Sequence, residues 1–299
     1  MHFKKIEQKK SSLENIYTRV NNDKNILLID IMKLNKKLKF YVDNALANKS
    51  LITNLRQSYN IRNDFIQNKS LTNTFINKIF KFFGKKRELW VYLTEEQKHS
   101  TDSYSRYEKM ILENIKKTQA DFIAIGDRAI EFIKSNKLNL IKSFKQNHKN
   151  VNIAKELTFL IKYLYVDEAY DSVRFVINTN KNFKNAFTIL PLENFDVDQL
   201  SNEIKQPILK PVKKYEIYPN LEQFIDSEIN IFLSNAIHSL IIESYFYNAK
   251  NNLISTNQII KQLDEDILKL NKKIIKFKRE KEIEDIVMFF RKKRGADNE

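Results

Sequence analysis

Two stretches of the chain carry apolar residues in alternating steps of three and four. In the C-terminal stretch, from about Asn220 to Arg294, the series runs Phe246, Ala249, Leu253, Thr256, Ile260, Leu263, Ile267, Leu270, Ile274 and Phe277. That spacing holds one seam of an α-helix against a partner, and only Thr256 in it is polar. No Pro or Gly interrupts this run before Gly295. At ~1.5 Å per residue it would make a rod of roughly 100 Å. The N-terminal stretch, residues 3 to 55, repeats Ile6, Leu13, Val20, Leu27, Leu34 and Tyr41 every seven residues. Phe3, Tyr17, Ile31, Leu38 and Ala45 fill the alternate seam, interrupted by Lys10 and Lys24. Each stretch has one narrow apolar stripe that it cannot hide alone, so the pattern predicts that the two pair as an antiparallel coiled coil.

Between them the period changes. Leu89 to Leu93 is a short apolar run rich in β-formers, a predicted buried strand. A polar loop from Thr94 to Ser103 leads to a helical pattern at 104 to 118. Asp121 to Asp127 reads as a strand closed by an Ile125-Gly126 turn, with a helix from Arg128 to Ser135 after it. A short apolar run at Leu138 to Phe144, a helix at 151 to 165, a strand at Ser172 to Asn178 and another over Phe187 to Leu192 complete the series. Strand and helix in alternation predict a small α/β domain with a largely parallel sheet. Residues 56 to 87 are less regular and end in a basic, aromatic segment, Lys81 to Arg87. A contact with a membrane surface is a minor reading of that segment.

The segments so divided are an N-terminal coiled-coil helix (1–56), a helical extension and basic connector (57–87), the α/β domain (88–200), a Pro-containing connector (201–219) and the C-terminal helix (220–299). Composition agrees with this. Three Gly and four Pro leave few turns and favour long helices, and all four prolines fall between 191 and 219. The formal charge of +15 suits nucleic acid, anionic lipid or an acidic protein. Lysine covering helix surfaces explains it equally well. The absence of cysteine excludes disulfides, thiolate metal sites and a Cys nucleophile. Met1 to Glu7 has no apolar region of the secretory kind. No window reaches ~18 uncharged apolar residues, so no transmembrane segment is expected.

Chemistry is scarce. His2, His99, His148 and His238 form no metal-ligand spacing, and His238 reads as a packing or surface residue. With Gly only at 84, 126 and 295, neither a P-loop nor a GxGxxG turn exists. The Ile125-Gly126-Asp127 turn stands where a Rossmann-like sheet can place a ligand, but a single Gly is a weak signal. Asp121, Asp127, Asp167 and Asp171 show no pairing, and no GxSxG elbow occurs. The residues therefore offer no catalytic, metal or cofactor site. Two features of the C-terminal helix stand out instead. Lys269, Lys272, Lys273, Lys276, Lys278, Arg279 and Lys281 make a dense positive flank. Ile283, Ile286, Val287, Met288, Phe289 and Phe290 form an apolar tip before Arg291-Lys292-Lys293-Arg294.

This layout resembles the γ subunit of F-type ATPases. Asp121-Phe-Ile-Ala-Ile-Gly126-Asp127 and the helix through Lys134 are similar to that family's central strand, turn and helix, and Leu138 to Phe144 resembles the segment after it. Ala169-Tyr-Asp171-Ser-Val173 through Phe183, then Ile189-Leu190-Pro191-Leu192, resembles the family's strand, Asn-x-Phe and Leu-Leu-Pro-Leu sequence. Ser12 to Asn15 is similar to Ser-Ile-x-Asn, and Lys281 to Val287 to Gln-Glu-Ile-x-Glu-Ile-Val. There are departures. Thr94 to Thr101 stands in place of a Gly-rich Ser-Asp-x-Gly-Leu-Cys-Gly-Gly loop, residues 56 to 87 are longer than usual, and Asn248 to Ile254 replaces a small, Met- and Ala-rich signature. The pattern is that of a diverged member, as in F1-like motors of some wall-less bacteria.

The resemblance implies a fold of two long paired helices around an inserted Rossmann-like α/β domain. It implies a non-catalytic rotor shaft, without cofactor, inside a hexamer of α- and β-type ATPase subunits, with an ε-like or foot-binding subunit as a further partner. Tip contacts would be Ile283, Ile286, Val287, Phe289 and Phe290, and flank or tip charges Lys276, Lys278, Arg279, Arg291 and Arg294. It would work in the cytoplasm, peripheral to the inner face of the cell membrane, and no nucleic acid is expected. A coiled-coil adaptor or nucleic-acid-binding protein without motor function is the alternative, and an enzyme built on the α/β domain is a third. Whether such a motor makes ATP, hydrolyses it, moves ions or drives gliding is open at this stage.

Overall fold

The computed structural model describes residues 2–61, 63–66, 86–96, 102–116, 118–145, 153–179, 185–195 and 216–296. Most of the 57–87 extension, the Pro-containing connector, the Asn-x-Phe segment beyond Thr179, His99 and His148 lie outside the described residues. The elements in chain order are α1 (His2–Tyr59), β1 (Arg87–Leu93), α2 (Ser105–Ile115), β2 (Gln119–Ile125), α3 (Asp127–Ser135), β3 (Asn139–Phe144), α4 (Ile153–Asp167), β4 (Ser172–Val176), β5 (Phe187–Leu190), a short turn of 3-10 helix (Leu192–Asn194) and α5 (Leu221–Ala296). The chain forms two compact units, one of residues Met1–Asp30 with Lys250–Glu299 and the other of Ile31–Ala249.

The first unit is helical. The seam positions are the ones that leave solvent. Phe3, Ile6, Leu13, Tyr17, Val20 and Leu27 of α1 are half-buried, as are Leu253, Ile260, Leu263, Ile267, Leu270 and Phe277 of α5. Thr256 and Ile274 are buried outright. Lys10 and Lys24 keep their seam places half-buried. They do so as long aliphatic stems with solvated heads, and the Lys10 ammonium lies 3.4 Å from Glu14. Phe3 meets Phe277 edge-on, centroids 6.4 Å apart. Thr256 settles its hydroxyl by donating to the Asn252 carbonyl at 2.8 Å, so its place in an apolar seam leaves no orphan donor.

The second unit holds the sheet, in the order β3-β2-β1-β4-β5. Strands β3, β2, β1 and β4 are parallel and β5 is antiparallel at the edge. The two parallel crossovers on one side of β1 and the one on the other place helices on both faces, as in doubly wound sheets. Alternation along β1 sorts the layers. Leu89, Val91 and Leu93 join a core with α1, α4 and the first half of α5, where Val42, Ala45, Leu157, Ile161, Phe232, Ala236 and Ile237 are buried. Trp90 and Tyr92 face the other way into a smaller core with Tyr107, Ile111, Ala129 and Ile133 of α2 and α3. A strand buried on both faces reads as one continuous apolar run, which is why β1 was plain in the sequence. Within this unit α1 and α5 run antiparallel. Tyr41 stacks on His238 at 4.7 Å, and Asn48 reaches Asn235 at 3.2 Å and Glu228 at 2.7 Å. His238 is thus a packing residue, with its Nδ1 hydrogen donated to the Ser234 carbonyl at 2.7 Å.

Candidate functional site

Two places could carry function: the switch point of the sheet and the outer half of α5. Ligands of doubly wound sheets bind outside the C-terminal ends of the strands, where the strand order reverses. Here that place lies between the ends of β1 and β4; the neighbouring gap, between the ends of β1 and β2, is closed by the protein's own backbone. Gly126 sits at φ +96° and ψ 153°, and a Cβ there would come within 2.2 Å of the Thr94 carbonyl oxygen. The turn needs glycine for close approach of its own backbone. The Thr94 amide donates to Ile125 O at 2.8 Å, and its hydroxyl accepts from the Ala129 amide at 3.0 Å. The N-terminus of α3, where an anion would otherwise sit, is capped by Thr94.

Beside it, Glu95 is buried and meets α5. Its carboxylate accepts from Ser244 Oγ at 2.5 Å and Asn248 Nδ2 at 3.0 Å, and its amide donates to the Tyr104 hydroxyl at 2.8 Å. Burial pushes this carboxyl up to about 7, against the smaller opposing pull of those two donors. Adjacent to Ser244, Glu243 accepts from Thr179 Oγ1 at 2.6 Å. Next to the crevice, Arg128 pairs with Glu108 and Asp102, each at 2.7 Å. The hydrogen bond from Arg128 is the main reason the Asp102 carboxyl lies well below its usual range.

The four aspartates of the sequence divide. Asp121 and Asp171 come together around Arg87 at the opposite, N-terminal edge of the sheet. Asp121 takes the guanidinium at 3.1 Å, the Tyr170 hydroxyl at 2.6 Å and Asn139 at 2.7 Å, and Asp171 accepts the Arg87 amide at 3.0 Å. Both Asp121 oxygens are used in structural bonds. Asp127 and Asp167 are exposed and apart from this cluster. Among the described residues no group of His, Asp or Glu could hold a metal ion.

On α5 beyond Phe277, the helix continues and every side chain from Lys278 to Phe290 is exposed. Ile283, Ile286, Val287, Met288, Phe289 and Phe290 range from 45% to 67% exposed. Lys276, Lys278 and Arg279 are exposed below it, with Lys276 3.7 Å from Glu280. Arg291 and Arg294 belong to the helix, but their side chains lie outside the described residues. The structure thus sets the proposed tip and flank residues along one helical segment.

Sequence reading missed two surfaces. Phe159, Tyr163 and Val166 of α4 are exposed, and they line a cleft of about 660 Å³ with Asn230 and Ser234 of α5. Their four- and three-residue spacing looks the same in sequence as a buried stripe. The Glu95 contacts were also hidden, because Ser244 and Asn248 are polar residues of ordinary type 149 and 153 positions away. No helix among the described residues is long and apolar enough to cross a membrane.

No family model matches the chain. An uncharacterized protein of Ureaplasma parvum is 45% identical over 302 residues, covering 100% of this chain and 97% of that protein. The ATP synthase gamma chain of Mycoplasma capricolum is 26% identical over 167 residues, covering 54% of this chain and 56% of that one. That of Mycoplasma mycoides is 24% identical over 189 residues, covering 58% and 63%. The match thus spans less than two thirds of either gamma chain. Among solved structures, a rotor chain of Euglena gracilis mitochondrial ATP synthase aligns over 93% of this chain at 11% identity and TM-score 0.45. A central-stalk chain of the Tetrahymena thermophila enzyme aligns over 78% at 16% identity and TM-score 0.42. The chain belongs to the family of the Ureaplasma parvum protein, and over part of its length it is similar to ATP synthase gamma chains.

Proposed function

We propose that this chain is the non-catalytic rotor shaft of an F1-like ATPase, turned by, or turning, a hexamer of α- and β-type subunits that hold the ATP chemistry. The observation that carries this reading is the stretch of α5 from Lys278 to Phe290. It stays helical past the last seam residue, exposes all its side chains, and places an apolar end beyond a basic flank. A shaft needs those features: a stiff helix pair, an apolar end that turns against an apolar collar, and charges that meet partner charges at set angles. Ile283, Ile286, Val287, Phe289 and Phe290 would bear on the collar. Lys276, Lys278, Arg279, Arg291 and Arg294 would meet acidic partner segments. The five sequence segments then become shaft, extension, foot, connector and shaft, with the foot the place for an ε-like partner. The occupied N-terminus of α3 supports a non-catalytic role, since Thr94 takes the place where an anion would lie.

The setting would be cytoplasmic, with the complex on the inner face of the membrane. Ion transport and motility find no support in the comparisons and are not proposed. The test is affinity purification of the native chain. Recovery with Walker-motif ATPase subunits supports the rotor. Recovery alone or with nucleic acid favours the adaptor reading. ATP turnover by the purified chain alone would favour an enzyme.

A further inference from the structure

The switch point holds a carboxylate that the rotor reading does not use. Glu95 follows β1, is buried, and is bound on α5 only by neutral donors, the Ser244 hydroxyl and the Asn248 amide. Among the described residues, other polar groups lie on the elements around it. From the residues before α2 comes Tyr104, whose hydroxyl accepts the Glu95 amide hydrogen. From the residues after β4 come Asn178, bound to Ser103, and Thr179, bound to Glu243. The neighbouring Glu243 turns to Thr179, and Glu96 is exposed with its carbonyl toward Asn248 at 3.4 Å. Among the described residues no Lys, Arg or His makes an ion pair with Glu95. A buried carboxylate with neutral partners holds its site best when it carries a proton.

We propose that Glu95, Ser244 and Asn248 form a proton-linked latch that fastens α5 to the C-terminal edge of the parallel sheet. Protonated, Glu95 shares a hydroxyl with Ser244 and accepts from Asn248, and the latch is closed. Ionised, it leaves a desolvated charge among dipoles, and the latch loosens. The sign follows from the raised folded value: the stabilisation is complete below the ordinary carboxylate value of 4.5 and is lost as pH rises toward about 7. Above that the protonation states of the closed and open forms no longer differ, and the effect levels off. The latch is a property of this chain alone, so it stands or falls apart from the rotor reading.

The test is urea unfolding of the full chain from pH 5 to pH 8. Trp90, the single tryptophan, buried in the sheet, serves as the probe. Hydrogen exchange of α5 residues 240 to 249 is followed in parallel. The unfolding constant of the wild type, divided by that of Glu95→Gln, should rise roughly tenfold per pH unit up to about pH 7 and then plateau. Exchange at 240 to 249 should follow the same curve in the wild type and be flat in the variant after correction for intrinsic rates. Parallel pH profiles for the two proteins overturn the proposal. Should Glu95→Gln not fold, Ser244→Ala decides the matter. It removes a donor to the ionised form, so its transition should move above that of the wild type. An unmoved or lowered transition overturns the latch.

Discussion

Replacing Gly126 with alanine tests the account of the turn between β2 and α3. The backbone there, φ +96° and ψ 153°, lies in a region open in practice to glycine alone. Holding an L-residue in such a conformation costs about 1–3 kcal/mol. The new Cβ would lie 2.2 Å from Thr94 O and 2.7 Å from Thr94 Oγ1. The first contact is with backbone, so β1 and the β2–α3 turn must separate. That separation lengthens the Thr94–Ile125 hydrogen bond and pulls the Thr94 hydroxyl from the Ala129 amide. Loss of such a cap costs ~1 kcal/mol. With part of a backbone hydrogen bond at ~1 kcal/mol, the sum is about 3–5 kcal/mol. Urea unfolding followed by Trp90 emission should show the midpoint falling by roughly 1–2 M, for a slope of ~3 kcal/mol/M, the upper end that larger chains show. A loss under about 1 kcal/mol would refute the claim that Thr94 packs closely on this turn and caps α3.

Other expectations follow from the same contacts. Deleting residues 283 to 299 should leave the Trp90 transition in place and weaken recovery of the chain with ATPase subunits; undiminished recovery would count against the tip. Ile274→Asn puts an unpartnered amide in the helical seam and should cost about 2–4 kcal/mol, read as an earlier loss of helical circular dichroism. Asp121→Asn removes a charged acceptor from Arg87, Tyr170 and Asn139 and should cost about 2–3 kcal/mol by Trp90 unfolding. Burial alone would raise the Asp121 carboxyl, but the Tyr170, Asn139 and Arg87 contacts together outweigh it and hold it below its usual 3.8. Its stabilisation is thus present above that value and lost as pH falls beneath it, and the variant should lose less stability in acid than the wild type.

The two kinds of element differed in how much of them could be read from the chain. The helices announce themselves because one stripe must be buried along tens of residues: each seam position from Phe3 to Ala45 and from Phe246 to Phe277 is half-buried or buried, Lys10 and Lys24 included. The buried strands β1 and β2 were equally plain, as unbroken apolar runs. β3 was only a short apolar run, because half-exposed Leu140 and Ile141 alternate weakly with Lys142 and Ser143. The direction of β5 was hidden, since orientation depends on the path of the connection and not on the residues of the strand. Of the candidate site, the tip could be seen because nothing in the sequence could cover it. The Glu95 latch could not, because tertiary contacts between residues some 150 positions apart leave no period. The Ile125-Gly126-Asp127 turn was legible as a turn but not as a filled one. Only the structure brings Thr94 onto it.

The most direct measurement is the composition of the native complex. The chain, tagged at its N-terminus and purified under mild conditions, should be recovered with two kinds of Walker-motif subunit, a hexamer's worth for each copy, and deletion of the tip should deplete them. A chain recovered as a free protein or bound to nucleic acid, with no such subunits, would contradict the rotor account.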